Sequence, residues 1–143
     1  MNLRPYARAD REACLKLFDR HVPGSFAPQE RAAFEQFLDQ QPSAYFVVER
    51  EGTILACGGH VRERIRWLIV HREHQGRFLG RWLLLFLLRE IGRQGHRQST
   101  LATTLEMAGF YERMGYRVIE RIPDGYAPSY DRVEMVKKLE VCA

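Results

Sequence analysis

The sequence predicts an α/β fold: one domain over residues 1–143, with a mixed, mostly antiparallel central sheet flanked by helices. Three observations support this. Strand-like and helix-like periodicities follow in the order β-α-α-β-β-β-α-β-α-β-β. A long apolar helix separates the strand ending at Val70 from the next one, as a crossover between parallel neighbours requires. Residues 45–49, 53–61 and the strand ending at Val70 follow one another across short turns, which make antiparallel pairs. At 143 residues the chain is long enough for one real core and too short for two.

Each element has a local cause. Residues 3–6 read as a first strand. Asp10 is placed to cap a helix carrying Ala13, Cys14, Leu17 and Phe18 on one face. After the Pro23-Gly24 break, Pro28 opens a second helix with Ala33, Phe34, Phe37 and Leu38 inward. Residues 45–49 and 53–61 form a hairpin about Arg50-Glu51-Gly52, and Arg62-Glu63-Arg64 turns into a strand ending at Val70. The helix from about Gly76 to Ile91 is apolar over most of its circumference, so it is expected to be buried against the sheet. Gly92 and Gly95 should end it. Residues 99–103 are a short strand, and Thr103 or Thr104 can cap a last helix that Gly115 stops. Residues 116–122 and 132–139 close the sheet as an antiparallel pair around a Pro-, Gly- and Tyr-rich loop.

Composition excludes several classes. An apolar fraction of 45% with 28% charged residues belongs to an ordinary globular protein. The N-terminus is charged and lacks a signal-like apolar stretch, and the longest apolar run (Trp82 to Leu88) is far short of a membrane span. Cys14, Cys57 and Cys142 are odd in number and lack ligand spacing; reduced thiols in a cytoplasmic protein are expected, and no metal. His71 and His74 share a turn with no third ligand nearby. The net charge of +4 is uneven: between Arg62 and Arg97 nine Arg face three Glu, a local +6. That block suits nucleic acid, one polyanionic small molecule or plain solvent.

The stretch Val70 to Leu84 narrows the choice. A strand stops, a polar turn follows, and Gly76 and Gly80 bracket the start of the apolar helix. The first amides of a helix have no partner within it and carry partial positive charge, so such a junction suits a phosphate. Arg72, Arg77 and Arg81 surround it with permanent charge. A phosphorylated cofactor is expected here.

At these residues the chain resembles the GNAT (Gcn5-related) N-acetyltransferase family. Gln75-Gly76-Arg77-Phe78-Leu79-Gly80 fits that family's Q/R-x-x-G-x-G/A motif, with Val70 five residues upstream. Met107-Ala108-Gly109-Phe110-Tyr111-Glu112-Arg113-Met114-Gly115-Tyr116 resembles its second signature. The resemblance spans essentially the whole chain and implies the GNAT-like, acyl-CoA N-acyltransferase fold with acetyl-CoA as co-substrate. Backbone amides of Gln75, Gly76, Arg77, Phe78, Leu79, Gly80 and Arg81 would then hold the pyrophosphate. The main chain at Leu68, Ile69 and Val70 would pair with the pantetheine, polarising the thioester near Ile69 or Val70. Two positions depart from the pattern. Phe78 stands where Gly is usual, and its ring must point away from the cofactor. Thr104 stands where Asn is frequent; it can cap the helix but supplies no amide.

The resemblance makes Tyr111 the hydrogen-bond donor or acid to the departing thiolate. Full proton transfer from a phenol near pKa 10 to a thiolate near 8.5 costs roughly 2 kcal/mol, which favours a hydrogen bond. The strand before the motif has no carboxylate, so His60 and Glu63, on the adjacent strand and turn, are the nearest candidate bases. The reaction implied is direct attack of an unidentified primary amine on acetyl-CoA in a ternary complex. The alternative is a non-catalytic acyl-CoA sensor or scaffold module. Nucleic acid and membrane are disfavoured as partners, and a homodimer is common among resembling proteins.

Overall fold

A computed structural model describes residues 1–22, 24–71 and 78–140. Seven strands form one sheet: β1 (Asn2–Pro5), β2 (Tyr45–Arg50), β3 (Thr53–Val61), β4 (Arg64–Val70), β5 (Gln98–Thr103), β6 (Arg117–Ala127) and β7 (Tyr130–Lys138). The helices are α1 (Arg11–Asp19), α2 (Arg31–Asp39), α3 (Leu79–Arg93) and α4 (Leu105–Arg113). Element order and fold class are those the periodicity predicts. Spatially the strands run β1-β2-β3-β4-β5-β7-β6, and every adjacent pair is antiparallel except β4 and β5. The parallel pair is joined by α3. The closing hairpin is longer than the sequence suggests, because β6 bends through a register shift between Ile122 and Ala127 and continues to the turn.

Two apolar layers cover the sheet. Leu83, Leu84, Leu87 and Ile91 of α3, with Ala108 and Tyr111 of α4, pack against Ile65, Leu101, Val133 and Met135 on one face. Cys14, Leu17 and Phe18 of α1, with Phe34, Phe37 and Leu38 of α2, pack against Tyr45, Val47, Cys57 and Ile69 on the other. Cys14 and Cys57 are free and buried; Cys142 lies outside the described residues. Among the described residues no helix is long and apolar enough to cross a membrane.

The helix starts differ from expectation for one shared reason. Asp10 does not cap α1 with its side chain; its carboxylate turns back to accept the Ala7 amide at 2.8 Å and both terminal nitrogens of Arg4, and a short 3-10 turn precedes the helix. Pro28 likewise opens a 3-10 turn in which Glu30 accepts the Ala27 amide at 2.8 Å, and α2 follows. At the other ends, Gly92 lies inside α3, and Gly95, with φ +91°, follows its end. Gly115, at φ +97°, closes α4 with a Schellman pattern: Tyr116 N–H donates to Tyr111 O and Gly115 N–H to Glu112 O, both at 3.0 Å. Tyr116 therefore precedes β6 and is buried, its hydroxyl 2.7 Å from Ser99 Oγ.

One irregularity in β4 positions everything that follows. Ile69 pairs with Cys57 and Arg66 with Gly59, so Trp67 and Leu68 together stand opposite Gly58. This is a β-bulge, and Trp67 takes φ +47° to make it. The extra residue sends two successive side chains to the α1/α2 face: Arg66 lies over the Phe37 ring and Trp67 against Phe34. Leu68 then returns to the α3 face, where its Cδ1 is 2.7 Å from where a Cβ on Gly58 would sit. A left-handed bulky residue costs about 1–2 kcal/mol. The buried Tyr45 hydroxyl helps offset that, donating to Trp67 O at 2.7 Å.

Two outcomes follow. A Cβ at Gly59 would fall 2.1 Å from Ala44 O, a backbone atom that cannot step aside. Gly59→Ala should lose at least about 3 kcal/mol in urea unfolding, and a loss under 1 would contradict the packing described. The Arg4 fork, opposed by burial and aided by the Ala7 amide, holds the Asp10 carboxyl below its ordinary range. A depressed folded pKa contributes stability above the unfolded value, about 3.9, that is lost as pH falls through the folded one. Asp10→Asn should therefore flatten the acid limb of the stability–pH curve below about pH 4.

Candidate functional site

Parallel strands β4 and β5 share a single register pair, Arg64 with Thr100, and diverge beyond it. The wedge they leave is a cavity of about 790 Å³, within the range of small-molecule sites. One wall is the start of α3 (Phe78, Gly80, Arg81) and α4 (Met107, Phe110, Tyr111), with Thr104 before it. The opposite wall is built from Ser25, Phe26 and Glu30 ahead of α2, from Arg66 and Trp67 at the bulge, and from Tyr126 and Arg132 of the closing hairpin.

The residues proposed for the phosphate cradle divide. Arg72, Gln75, Gly76 and Arg77, like His74, lie outside the described residues. Phe78, Gly80 and Arg81 line the cavity, while Leu79 is buried beneath it. α3 begins at Leu79 rather than near Gly76, with Phe78 before it at φ +67°. The Phe78 ring is 75% exposed, so it forms part of the rim and does not plug the wedge. Gly80 permits a close approach: an added Cβ would sit 3.2 Å from Val70 Cγ2 and 3.5 Å from Phe110 Cζ.

Leu68, Ile69 and Val70 all line the wedge, but their main chains face opposite ways. Ile69 pairs with Cys57, and the His71 amide donates to Leu55 O at 2.7 Å, so both are turned to β3. The intervening Val70 presents its N–H and C=O to the open side. Its carbonyl accepts His21 Nε2–H at 2.7 Å. His21, which gives no signal in the sequence, is buried at the end of α1 and lines the cavity.

Tyr111 is buried and lines the wedge from the α4 side. Burial first, then the neighbouring Tyr116 and Tyr126, pushes its phenol well above the ordinary value. It is a neutral donor at pH 7 and a poorer acid than free tyrosine. Thr104 precedes α4, yet its hydroxyl makes no capping bond, contrary to the capping role expected. Its Oγ1 is one of three buried side-chain polar atoms without a partner among the described residues; the others are Trp67 Nε1 and Arg132 Nε. All three residues line this cavity. An unmade buried hydrogen bond costs about 1–3 kcal/mol, so three at one wedge leave polar capacity there that a ligand or water can take up.

His60 and Glu63 do not line the cavity. The His60 ring is buried beneath the β3–β4 turn and donates from Nδ1 to Arg62 O at 2.9 Å. Glu63 is in that turn, its carbonyl accepting the Thr100 amide at 3.0 Å. Adjacency in sequence to β4 suggested them, but the turn lies at the end remote from Val70. The carboxylates that do line the wedge are Glu30 and Glu106. Burial raises the Glu30 carboxyl above its usual range, partly opposed by the Ala27 amide. Tyr126 is raised too, by burial first and then by the charge of Glu30. Nothing in a single sequence flags Glu30, because its chemistry comes from its surroundings.

The strain at Phe78 gives a direct check. Glycine there removes about 1–2 kcal/mol of left-handed strain and adds about 0.5–1 kcal/mol of unfolded-chain entropy. Phe78→Gly should stabilise the protein by roughly 0.5–1 kcal/mol in thermal or urea unfolding, and destabilisation would mean that the ring packs in a way its exposure does not show.

Comparison with known proteins bears on the family and the fold. The family model for the acetyltransferase (GNAT) domain matches residues 41–118, from the turn before β2 into β6. No curated protein sequence matches. Among solved structures the fold is similar to Ard1 from Thermoplasma volcanium, with TM-score 0.80, 16% identity, and 97% of each chain covered. It is similar to the ribosomal-protein-S18-alanine N-acetyltransferase from Escherichia coli (TM-score 0.78, 18% identity, 99% of this chain and 96% of that one). An aminoglycoside 6'-N-acetyltransferase complexed with coenzyme A is also similar (TM-score 0.78, 13% identity, 100% and 99%). At such identities the structures speak for the fold, and the family model, covering more than half of the sequence, speaks for descent: the chain belongs to the acetyltransferase (GNAT) domain family.

Proposed function

We propose that the whole chain is one acetyltransferase domain that moves an acetyl group from acetyl-CoA to a primary amine by direct attack in a ternary complex. The observation that carries this is the open edge of β4, with the Val70 N–H turned into the wedge where Tyr111 also lies. Pantetheine would run along that edge at Leu68 and Val70. The first-turn amides of α3, which have no partner within the helix, would meet the pyrophosphate beside Arg81. The unpaired Thr104 hydroxyl supplies a further polar contact on the same side.

The Val70 N–H is the amide suited to polarise the thioester carbonyl; Ile69 is spent on β3. The amine nitrogen attacks the carbonyl carbon, the C–S bond breaks, and the thiolate leaves as the nitrogen sheds a proton. A fixed amide aimed at the developing oxyanion is worth more than one in water, because it needs no reorganisation. Tyr111, with its pKa raised, stabilises the thiolate by donating a hydrogen bond; complete transfer would cost more than the roughly 2 kcal/mol of unperturbed groups. Glu30 takes the role first sought in His60 and Glu63. Its raised pKa brings it towards the range of an effective proton acceptor. An amine near pKa 10.4 is protonated all but about 1 part in 2,500 at pH 7, a deficit of roughly 4.6 kcal/mol, whereas one near 8 loses only about 1.4.

Three measurements test the reading. Acetyl-CoA at 100 times its dissociation constant should stabilise the protein by about 2.7 kcal/mol in a thermal-shift experiment. Gly80→Glu drives bulk and negative charge against Val70 and Phe110, and should abolish most of that shift; an unchanged shift would remove the α3 start from the site. Tyr111→Phe should lower turnover about 10²-fold with little change in CoA affinity. Unaltered turnover would leave Tyr111 a packing residue.

A further inference from the structure

The cavity as a whole is lined by more cations than carboxylates. Five arginines (64, 66, 81, 113 and 132) line the cavity against two glutamates, 30 and 106. On the α1/α2 face, Glu134 receives Arg64 through both oxygens at 3.1 and 3.0 Å. The same carboxylate is 3.6 Å from Arg132 Nε, an ion-pair distance too long for a hydrogen bond, and that buried nitrogen has no hydrogen-bond partner among the described residues. Arg66 has no carboxylate within reach among the described residues. Its guanidinium lies 5.2 Å from the centre of the Phe37 ring, with Arg64 near enough that burial and like charge both work against its protonated form. A cation drawn partly out of water without an anion is a cost the fold bears, and an anion docked beside it would offset that cost by direct attraction.

We propose that the acceptor carries an oxyanion, a carboxylate or a phosphate, on the same molecule as its amine, and that Arg66 and Arg132 hold it. This rests on the acetyltransferase reading above and names the substrate class of that site. The guanidinium fork matches either oxyanion with two parallel hydrogen bonds. Arg132 contributes the buried Nε that nothing else satisfies. Tyr126 lines the same cavity and feels the charges of Glu30, Arg132, Glu134 and Arg64 together. The arrangement also aids the chemistry, since positive surroundings lower the pKa of an amine and enlarge its neutral, nucleophilic fraction.

The test uses matched pairs differing only in the anion: glycine and glycinamide, β-alanine and β-alaninamide, phosphoethanolamine and ethanolamine. Each is titrated calorimetrically into the CoA-loaded protein, and each is assayed with acetyl-CoA by release of free thiol. At least one anionic member should surpass its neutral twin by about tenfold or more in Kd or kcat/KM, equivalent to about 1.4 kcal/mol. That advantage should fall to about threefold or less in Arg66→Gln and recover in part in Arg66→Lys, with CoA affinity reporting that both variants are folded. Preference for the amino acids or for the phosphate names which oxyanion is meant. Anionic binding without turnover would refute the transferase reading and leave the subsite standing. Equal treatment of every pair, absence of binding and turnover throughout, or a preference that survives both Arg66→Gln and Arg132→Gln would overturn the proposal.

Discussion

The site depends on one missing partnership. β4 is paired with β3 on both sides of the bulge at Trp67 and Leu68, but pairs with β5 only where Arg64 meets Thr100. Past that point a central strand has an open edge inside the protein, where unsatisfied amides and carbonyls would ordinarily be costly. α3 links the two strands, and Gly80 lets its first turn close against Val70. Each strand keeps its outer partner, β3 for β4 and β7 for β5. The result is a preformed slot lined by main-chain groups, and in the proposed reading the pantetheine would lie in it as an added strand would.

The bulge at Trp67 gives this slot two differently furnished sides. Without the extra residue, Arg66 and Trp67 would alternate across the sheet. With it, both turn to the α1/α2 face, and Leu68 is left to pack against α3. The α3/α4 side thereby keeps the hydroxyls and helix-start amides, Tyr111 and Thr104 among them. The other side carries Arg66, Arg132 and Glu30, with the neutral Tyr126 beside them. Tyr45 secures the geometry with one hydroxyl, at the point where the backbone is most strained. Gly58 and Gly59 make room for it; a side chain at either would meet Leu68 or the Ala44 carbonyl.

Much of this was legible in the amino-acid sequence, and the failures have physical causes. The order of elements, the crossover helix and the inward positions of Phe34, Phe37 and Leu38 follow from periodicity. Gly80 and Tyr111 stand out in the sequence because each lies in one of two spaced motifs, and both line the wedge. Arg66 was not. In regular alternation Arg66 and Trp67 fall on opposite faces, and a bulge moves one of them without any signal that a single sequence carries. His21, Glu30 and Arg132 were missed because they reach the wedge from three distant segments, and long-range assembly leaves no local pattern. His60 and Glu63 were favoured by nearness along the chain, which in a hairpin means nearness to the wrong end of β4. Asp10 was assigned as a helix cap because of its residue type, but Arg4 and the Ala7 amide make the stronger claim on its carboxylate.

The account stands or falls on what fills the gap between β4 and β5. A crystal structure with acetyl-CoA bound decides it. The thioester oxygen should lie about 2.7–3.2 Å from the Val70 nitrogen, with the pantetheine amides bonded along the open edge of β4 and the sulfur within reach of the Tyr111 hydroxyl. A pantetheine arm lying outside the gap, or a thioester oxygen that meets no amide of β4, would contradict the claim that this open edge is the catalytic surface.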